Sequence, residues 1–560
     1  MANISKQKRD DLMAKLSQIR AFILAAPQDE NTGSLLTYLS ELKKEVKIKK
    51  YGLVFEEHRE AIDEMLYTHA PILTEEKKLF IDNGGQMNFL LEGDNLAALH
   101  LLQKTHKGKV DVIYIDPPYN TGAKDWKYDN DYVDKNDTFR HSKWLSMMDK
   151  RLKIAKTLLA PNGTLICAID ENELHAIGLM LEEIFGPAYE FHCIAIVHNP
   201  RGIQGKNFSY TNEFAIFVVP KGDKIIGPRK IPESQVDWRG LRDNGGESLR
   251  SDARNCFYPI IVKDDEIIGF GDVIFDENAH PKQNEFVDDL IHIYPIDAQG
   301  IERKWRYARQ SIESIKQFLR VKKMRGRYDI EIGKPFGTYR TVWQDARYDA
   351  NEYGKKIINA LVPDAGFDFP KSLWNVYDCL YAVIGNRPNA IILDFFAGSG
   401  TTGHAVMELN KADGDSGQRK FILVTNNENG ICQNVTYPRI SNAIKENEYP
   451  ASLKYYKIDY IPISDRVYYE YADELLEHVK ELIELENGIN FTKNTEIDIA
   501  LTDEEIEVFI AGLDEYKKCR RLYRGHDVLL SAEQGAKLQE HGIDVCVIPD
   551  YYYRELEGGQ

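Results

Sequence analysis

The sequence predicts an α/β protein built on a doubly wound, mostly parallel sheet. Three observations carry that prediction. Apolar runs of strand length alternate with amphipathic runs of helix length. Two strand-like runs end in residues that must leave a sheet, one in Asp116-Pro117-Pro118-Tyr119 and the other in Asp394-Phe395-Phe396-Ala397-Gly398-Ser399-Gly400. Between the two pieces, over about 190–360, the alternation breaks down, so the sheet is assembled from separated halves.

In chain order, residues 1–75 read as helices, with Leu12, Leu16, Ile19 and Ile23, then Leu35, Leu39, Leu42 and Val46, at helical spacing. They form either a cap packed on the next domain or an arm for dimerisation or DNA clamping. Phe89-Leu90-Leu91 is a short strand ending in Glu92-Gly93-Asp94, and a helix with Leu96, Leu99, Leu101 and Leu102 follows. Val110, Val112, Ile113 and Ile115 make the central strand, too apolar to be exposed on either face. Two prolines in a row can neither continue a ladder nor start a helix without strain, so Asp116 and Tyr119 are displayed at the strand's carboxyl end. In open α/β sheets that edge binds ligands. Residues 120–140 are polar and carry Gly, Asn and aromatics, as an active-site loop does. Ser142 to Leu159 reads as a helix with Trp144, Leu145, Met148, Leu152 and Ala155 on one face, and Thr164 to Ile169 as the next buried strand.

Short β-like runs then alternate with loops, which predicts an inserted mixed α+β module over 191–360. Within it, Arg303 to Arg347 holds thirteen cations against four carboxylates, with Trp305, Tyr307, Phe318, Tyr328, Phe336, Tyr339 and Trp343 interleaved. Such a stretch fits a phosphate-backbone partner, with Arg320, Lys322, Lys323, Arg325 and Arg327 at its centre. A solvated face over core aromatics has the same composition. Ala390 to Leu393 resumes the strand rhythm, and the glycine loop, a helix from Thr401 to Leu409 and a strand from Phe421 to Thr425 follow. The expected division is 1–75 helical, 76–190 catalytic half, 191–360 insert, 361–450 cofactor half and 451–560 a small α/β addition. In that addition, Asp527–Leu530 and Asp544–Ile548 read as strands, and Ser531 with Gln534 reads as a capping box.

The composition is that of a soluble globular protein, with 43% hydrophobic and 28% charged residues over 560 positions. Seven scattered cysteines without a paired spacing predict a reducing cytoplasm, no disulfides and no zinc or other metal site. No apolar run spans a bilayer. A net charge of −17 speaks against a nucleic-acid partner on average, though not at a basic patch.

The two turns carry the chemistry. A carboxylate and an adjacent main-chain carbonyl can both accept hydrogen bonds from one NH₂ group. That draws an exocyclic amine out of conjugation and exposes its lone pair. Tyr119 offers a face for a flat base, and the prolines hold the acceptors rigid. Gly398 and Gly400 permit close backbone approach at a helix N-terminus. The loop lacks the lysine of a P-loop, and Glu428, after the following strand, suits ribose hydroxyls. The ligand expected there is a nucleoside without phosphates.

With these residues, the chain resembles the amino-methyltransferases of DNA that use S-adenosylmethionine, in the β-class order of catalytic motif, insert and cofactor motif. It is most similar to the modification subunits of Type III restriction–modification systems, through the runs at 91–95, 116–122, 144–152, 425–429 and 436–440. The resemblance implies the Rossmann-like methyltransferase fold and transfer to adenine N6 in duplex DNA by base flipping. It implies that Asp116 and the Pro117 carbonyl hold N6, with Pro118 stiffening the turn and Tyr119 stacking on the base. Asp394, which closes the cofactor strand, would be among the cofactor-binding residues. Phe396, Gly398, Ser399 and Gly400 would pack the methionine part of S-adenosylmethionine, Glu428 would bind its ribose and Asp94 its adenine amine, with Lys371 and Ser372 as further contacts. It implies a target-recognition role for the insert, a homodimer and, for some members, a separate restriction subunit with helicase and nuclease. Cytosine-N4 transfer and a catalytically idle DNA-binding subunit remain as alternatives.

Overall fold

Ten strands form one sheet: β1 His69–Glu75, β2 Gln86–Glu92, β3 Val110–Ile115, β4 Leu159–Ile169, β5 Tyr189–Val197, β6 Asn212–Pro220, β7 Val342–Trp343, β8 Ile391–Asp394, β9 Lys420–Thr425 and β10 Ala451–Pro462. They belong to a computed structural model that describes residues 4–548 apart from 28, 30, 48–52, 54, 129–130, 205, 325, 364, 368, 464–467 and 514–517. The spatial order is β1-β10-β2-β9-β8-β3-β4-β6-β5-β7. The six strands from β10 to β4 are all parallel. β1 joins β10 antiparallel, and β6 joins both β4 and β5 antiparallel. The sheet is therefore mostly parallel, as its apolar runs require. Every residue of β3 except Asp111 is buried, because both of its faces are covered.

Helices supply the cover. An N-terminal pair, α1 Ile4–Ala25 and α2 Thr32–Lys47, precedes the sheet. Around the sheet run α3 Asn95–Thr105, α4 Arg140–Leu158, α5 Leu174–Phe185, α6 Leu373–Ile384 and α7 Thr401–Asp413. The face of α4 read from the sequence is the one buried: Trp144, Leu145, Met148, Leu152 and Ala155.

The connections decide where a ligand can bind. From β3 the chain crosses through α4 to β4 on one side. From β8 it crosses through α7 to β9 on the other. β3 and β8 are neighbours, with Leu393 opposite Ile113. Chains leaving adjacent parallel strands in opposite directions open a crevice at the strands' carboxyl ends.

By compactness the chain divides into Met1–Ile225 with Thr341–Gln560, and Ile226–Arg340. The inserted unit is thus shorter than 191–360, because β5, β6 and β7 are strands of the main sheet. The inserted unit has a core of its own around Leu241, Tyr258, Ile260, Ile293, Trp305 and Ile330. It carries a four-stranded and a three-stranded antiparallel sheet.

Three further expectations change. Residues 69–75 of the helical N-terminal segment are β1, since Ala70, Ile72 and Leu73 pair along β10 and enter the core. Of the helical stripe, Leu39 is buried and Leu16, Ile23 and Val46 are half-buried, while Leu12, Ile19, Leu35 and Leu42 remain 45–54% exposed, so that face is only partly covered. In the C-terminal addition, Arg521–Gly525 is the strand rather than 527–530, and it pairs in parallel with Ile497–Ala500 and Asp544–Ile548. The Ser531–Gln534 capping box is present. All seven cysteines are free. Among the described residues no helix is long and apolar enough to cross a membrane.

Candidate active site at the switch point of the sheet

The turn after β3 is held from several sides. The Trp144 indole, fully buried on α4, donates to the Pro118 carbonyl at 2.7 Å. Asn120 sits at φ 55°, a left-handed conformation that Asn tolerates. Its amide donates to the Glu173 carboxylate at 2.5 Å and to the Arg140 carbonyl at 3.3 Å. The loop beyond forms a two-stranded hairpin, Ala123–Tyr128 with Asp131–Asp134. The turn is therefore locked from α4 and from the residue before α5, rather than by its prolines alone.

Asp116 is partly exposed at this edge, with 26% of its side chain accessible. Burial pushes its carboxyl above the ordinary carboxylate range, and Lys371 pulls the other way. Lys371 precedes α6, and its ammonium lies 3.3 Å from the Asp116 carboxylate. The same ammonium pairs with Glu213 and donates to the Tyr119 hydroxyl. Tyr119 in turn donates to Glu213 at 3.1 Å, and Asn375 on α6 donates to the other Glu213 oxygen at 2.8 Å. Lys371 thus meets the acidic turn. Ser372 is buried with its hydroxyl donating to the Arg347 carbonyl at 2.6 Å, so its side chain fixes the start of α6.

The glycine loop occupies the neighbouring strand end. Gly398 and Gly400 have φ of 50° and 78°, a left-handed backbone that glycine adopts without strain. A Cβ at Gly400 would also meet the Thr436 methyl at 3.2 Å. Asp394 accepts from the Phe396 amide at 2.9 Å and the Thr402 hydroxyl at 2.5 Å, tying the loop's two ends together. Burial pushes its carboxyl up to about 7. Beneath the loop, fully buried Arg439 donates to the Ser399 hydroxyl at 2.9 Å and the Thr401 hydroxyl at 2.7 Å. The Thr436 hydroxyl donates to the Gly398 carbonyl at 2.6 Å. Phe396 packs against Phe395, with ring centroids 5.3 Å apart.

Asp94 and Glu428 follow β2 and β9, so they share the edge with the two turns. Asp94 caps α3 by accepting from the Leu96 amide at 2.7 Å and lies 3.6 Å from Arg151. That contact is made by its second oxygen, and the side chain is 35% exposed. Glu428 is half-buried.

Sequence reasoning missed Glu213, Asn375, Trp144's indole contact and the Asn120–Glu173 lock. Glu213 had a signal: it is an acid inside the otherwise apolar run of β6, and it is 3% exposed. Such a residue must have a partner.

The basic residues lie in the inserted unit, on a hairpin of Leu319–Met324 with Arg327–Ile332. Arg320 donates to Glu331 directly across the hairpin, and Lys322 pairs with the other oxygen of the same carboxylate at 2.5 Å. Arg320 also lies over Trp238, 4.1 Å from the ring centroid. Lys323 is 3.6 Å from Asp265, and Arg327 is exposed. Arg325 lies outside the described residues. Arg303 pairs with Asp297, and Arg347 with Asp345 and Asp378. Trp305 and Trp343 are buried, so these two aromatics are core rather than display. Much of the positive run is one half of internal ion pairs.

The sheet, its switch point and the two turns flanking it define a doubly wound α/β enzyme with its chemistry at the strand ends. The DNA methylase family profile matches residues 110–434, more than half of the chain, and the chain belongs to that family. A Type II methyltransferase of Klebsiella pneumoniae, M.KpnI, is 32% identical over 60% of this chain and 79% of its own length. The Mod subunit of the Type III restriction–modification enzyme EcoPI of Escherichia phage P1 is 27% identical over 62% of this chain. That of StyLTI from Salmonella typhimurium is 30% identical over 66% of this chain. The chain spans 58% of each of those two Mod subunits.

Proposed function

We propose that the chain is a site-specific DNA methyltransferase that moves a methyl group from S-adenosylmethionine to adenine N6 in duplex DNA. The carrying observation is that the acidic proline turn and the glycine loop leave adjacent strands at the switch point. The acceptor of one reactant and the cradle of the other then face one crevice.

The residues fit the cofactor. Left-handed glycines let the loop backbone approach a ligand, and the absence of a P-loop lysine suits a nucleoside that bears no phosphates. Phe396, Gly398, Ser399 and Gly400 would hold its methionine part, Glu428 its ribose and Asp94 its adenine amine. When bound, S-adenosylmethionine supplies a methyl group on sulfur, which the amine lone pair takes as the carbon–sulfur bond breaks onto sulfur and a proton leaves nitrogen. Asp116 and the Pro117 carbonyl orient the amine by accepting its two hydrogens. Trp144 holds the Pro118 carbonyl, which leaves the Pro117 carbonyl for the base. Tyr119 offers its ring to the flipped base. No covalent enzyme adduct is required.

The inserted unit would read the target sequence, with Arg320, Lys322, Lys323, Arg325 and Arg327 against the DNA backbone. The Mod relatives support a modification subunit of a Type III-like restriction–modification system. Such a subunit would work in the cytoplasm as a homodimer and with a separate restriction subunit. Incubation with labelled S-adenosylmethionine and mixed plasmid DNA, then nucleoside analysis, tests the reading. N6-methyladenine is expected. N4-methylcytosine would shift the substrate to the second amine the same acceptors could grip, and bound but unlabelled DNA would leave a binding subunit. Asp116→Ala is expected to abolish transfer while DNA affinity stays within about threefold, since removing a positioned electrostatic group commonly costs about 10²–10³ in rate. Loss of DNA binding in that variant would contradict the division of labour.

A further inference from the structure

Glu213 lies outside both turns, yet it reaches the acceptor end of the site. It is on β6, two strands from β3, and its side chain is 4% exposed. One oxygen accepts from Asn375 at 2.8 Å, and the other accepts from the Tyr119 hydroxyl at 3.1 Å and pairs with Lys371. The carboxylate is fully partnered, as a buried charge must be. Lys371 is shared between Glu213 and Asp116 and stands 4.5 Å from the Tyr119 ring centroid. An ammonium therefore sits at one oxygen of the carboxylate through which Asp116 would accept the amine of a base.

We propose that Glu213 is a positioning residue that retains Lys371 when Asp116 exchanges the lysine for the amino group of the base, and that keeps the cluster anionic as positive charge grows on that amine. The inference rests on the methyl-transfer reading above. With Glu213, two carboxylates face one ammonium and the cluster is negative. Without it, Lys371 and Asp116 neutralise each other, and the lysine competes with the substrate amine for the same carboxylate. Glu213 and Lys371 are themselves largely out of water, which strengthens that competition. Burial alone would raise the Glu213 carboxyl, but Lys371, His198 and the Tyr119 hydroxyl outweigh it and hold the group ionised below its ordinary range. Asn375 fixes the carboxylate from α6, so it stays in place when Lys371 moves.

Steady-state transfer to plasmid DNA is to be compared for wild type, Glu213→Gln and Glu213→Gln/Lys371→Met. Calorimetry measures binding of S-adenosylhomocysteine to each. Glu213→Gln is expected to lower kcat about 10–100-fold, with KM for DNA and affinity for S-adenosylhomocysteine within about threefold of wild type. The double variant removes the competing ammonium and restores a single negative charge, and it is expected to recover at least fivefold in kcat over Glu213→Gln. A double variant no faster than the single would overturn the proposal, as would Glu213→Gln at wild-type kcat. Should Glu213→Gln fail to fold, the charge-balanced double variant carries the test: its transfer is expected within about 30-fold of wild type, and background transfer from a folded protein would overturn the idea. A wild-type protein that labels no DNA would instead overturn the proposed function, and this inference with it.

Discussion

Asp394 shows how a buried acid in the cofactor half links stability to pH. Its carboxyl is pushed up to about 7 by burial, against the pull of the Thr402 hydroxyl and the Phe396 amide. The folded state thus holds this proton more tightly than the unfolded chain, whose aspartates ionise near 3.9. The contribution to stability is full below pH 4, falls as pH rises towards 7 and is flat beyond. The side-chain amide of the Asp394→Asn variant cannot ionise. Relative to wild type, that variant is expected to gain stability between pH 5 and pH 8, on the order of 2–4 kcal/mol. Thermal unfolding at the two pH values checks this, and a stability difference independent of pH would mean that Asp394 is ionised throughout. The residues that punctuate the chain were legible in advance, because prolines after Asp116 and glycines after Phe396 restrict the backbone locally. Glu213 was not, because its partners, Tyr119, Lys371 and Asn375, come from distant stretches of sequence.

At the scale of elements, the basic hairpin shows what counting charges cannot give. Arg320 and Lys322 project to one face of their strand, and Glu331 stands opposite Arg320 on the paired strand. Their own carboxylate partly neutralises them. The sequence shows the cations, but which acid lies beside them depends on hairpin register. If the hairpin lies against DNA, Glu331→Gln is expected to strengthen binding and to steepen the dependence of log affinity on log salt by about 0.9, one further phosphate being neutralised. Arg327→Gln, at an exposed cation, is expected to make the slope shallower by about the same amount. Salt titrations of plasmid binding measure both, and two unchanged slopes would remove the hairpin from the interface. Strands fared better: β3 and β9 were read within a residue of their ends because burial on both faces leaves an unbroken apolar run.

The whole molecule places its reactive turns together by topology rather than by sequence proximity. The sheet closes around residues drawn from both sides of the inserted unit, since β8 slots between β3 and β9. The insertion itself was visible as a break in rhythm, but its edges were not, because β5 is largely uncovered over Tyr189–Cys193, like a strand of a separate module. Pairing rather than pattern assigns them to the main sheet. That pairing also says how the insert can be removed. The last residue of β6, Pro220, lies opposite Tyr189 on β5, and Val342 of β7 lies beside Ala195. Six residues of β5 separate these points, about 20 Å along the strand. A flexible linker of ten residues can reach up to about 33 Å, and the unit it would replace, Ile226–Arg340, has its own hydrophobic core. A chain with that unit exchanged for such a linker is expected to fold and to bind S-adenosylhomocysteine within about threefold of the full protein, because both turns and the glycine cradle stay on the sheet. Its plasmid affinity is expected to fall at least tenfold if the insert carries target recognition. Calorimetry and gel-shift titration on the one shortened protein measure the two properties. Loss of cofactor binding from a folded shortened chain would show that the insert helps build the crevice, while full DNA affinity would move the recognition surface onto the main sheet's own loops.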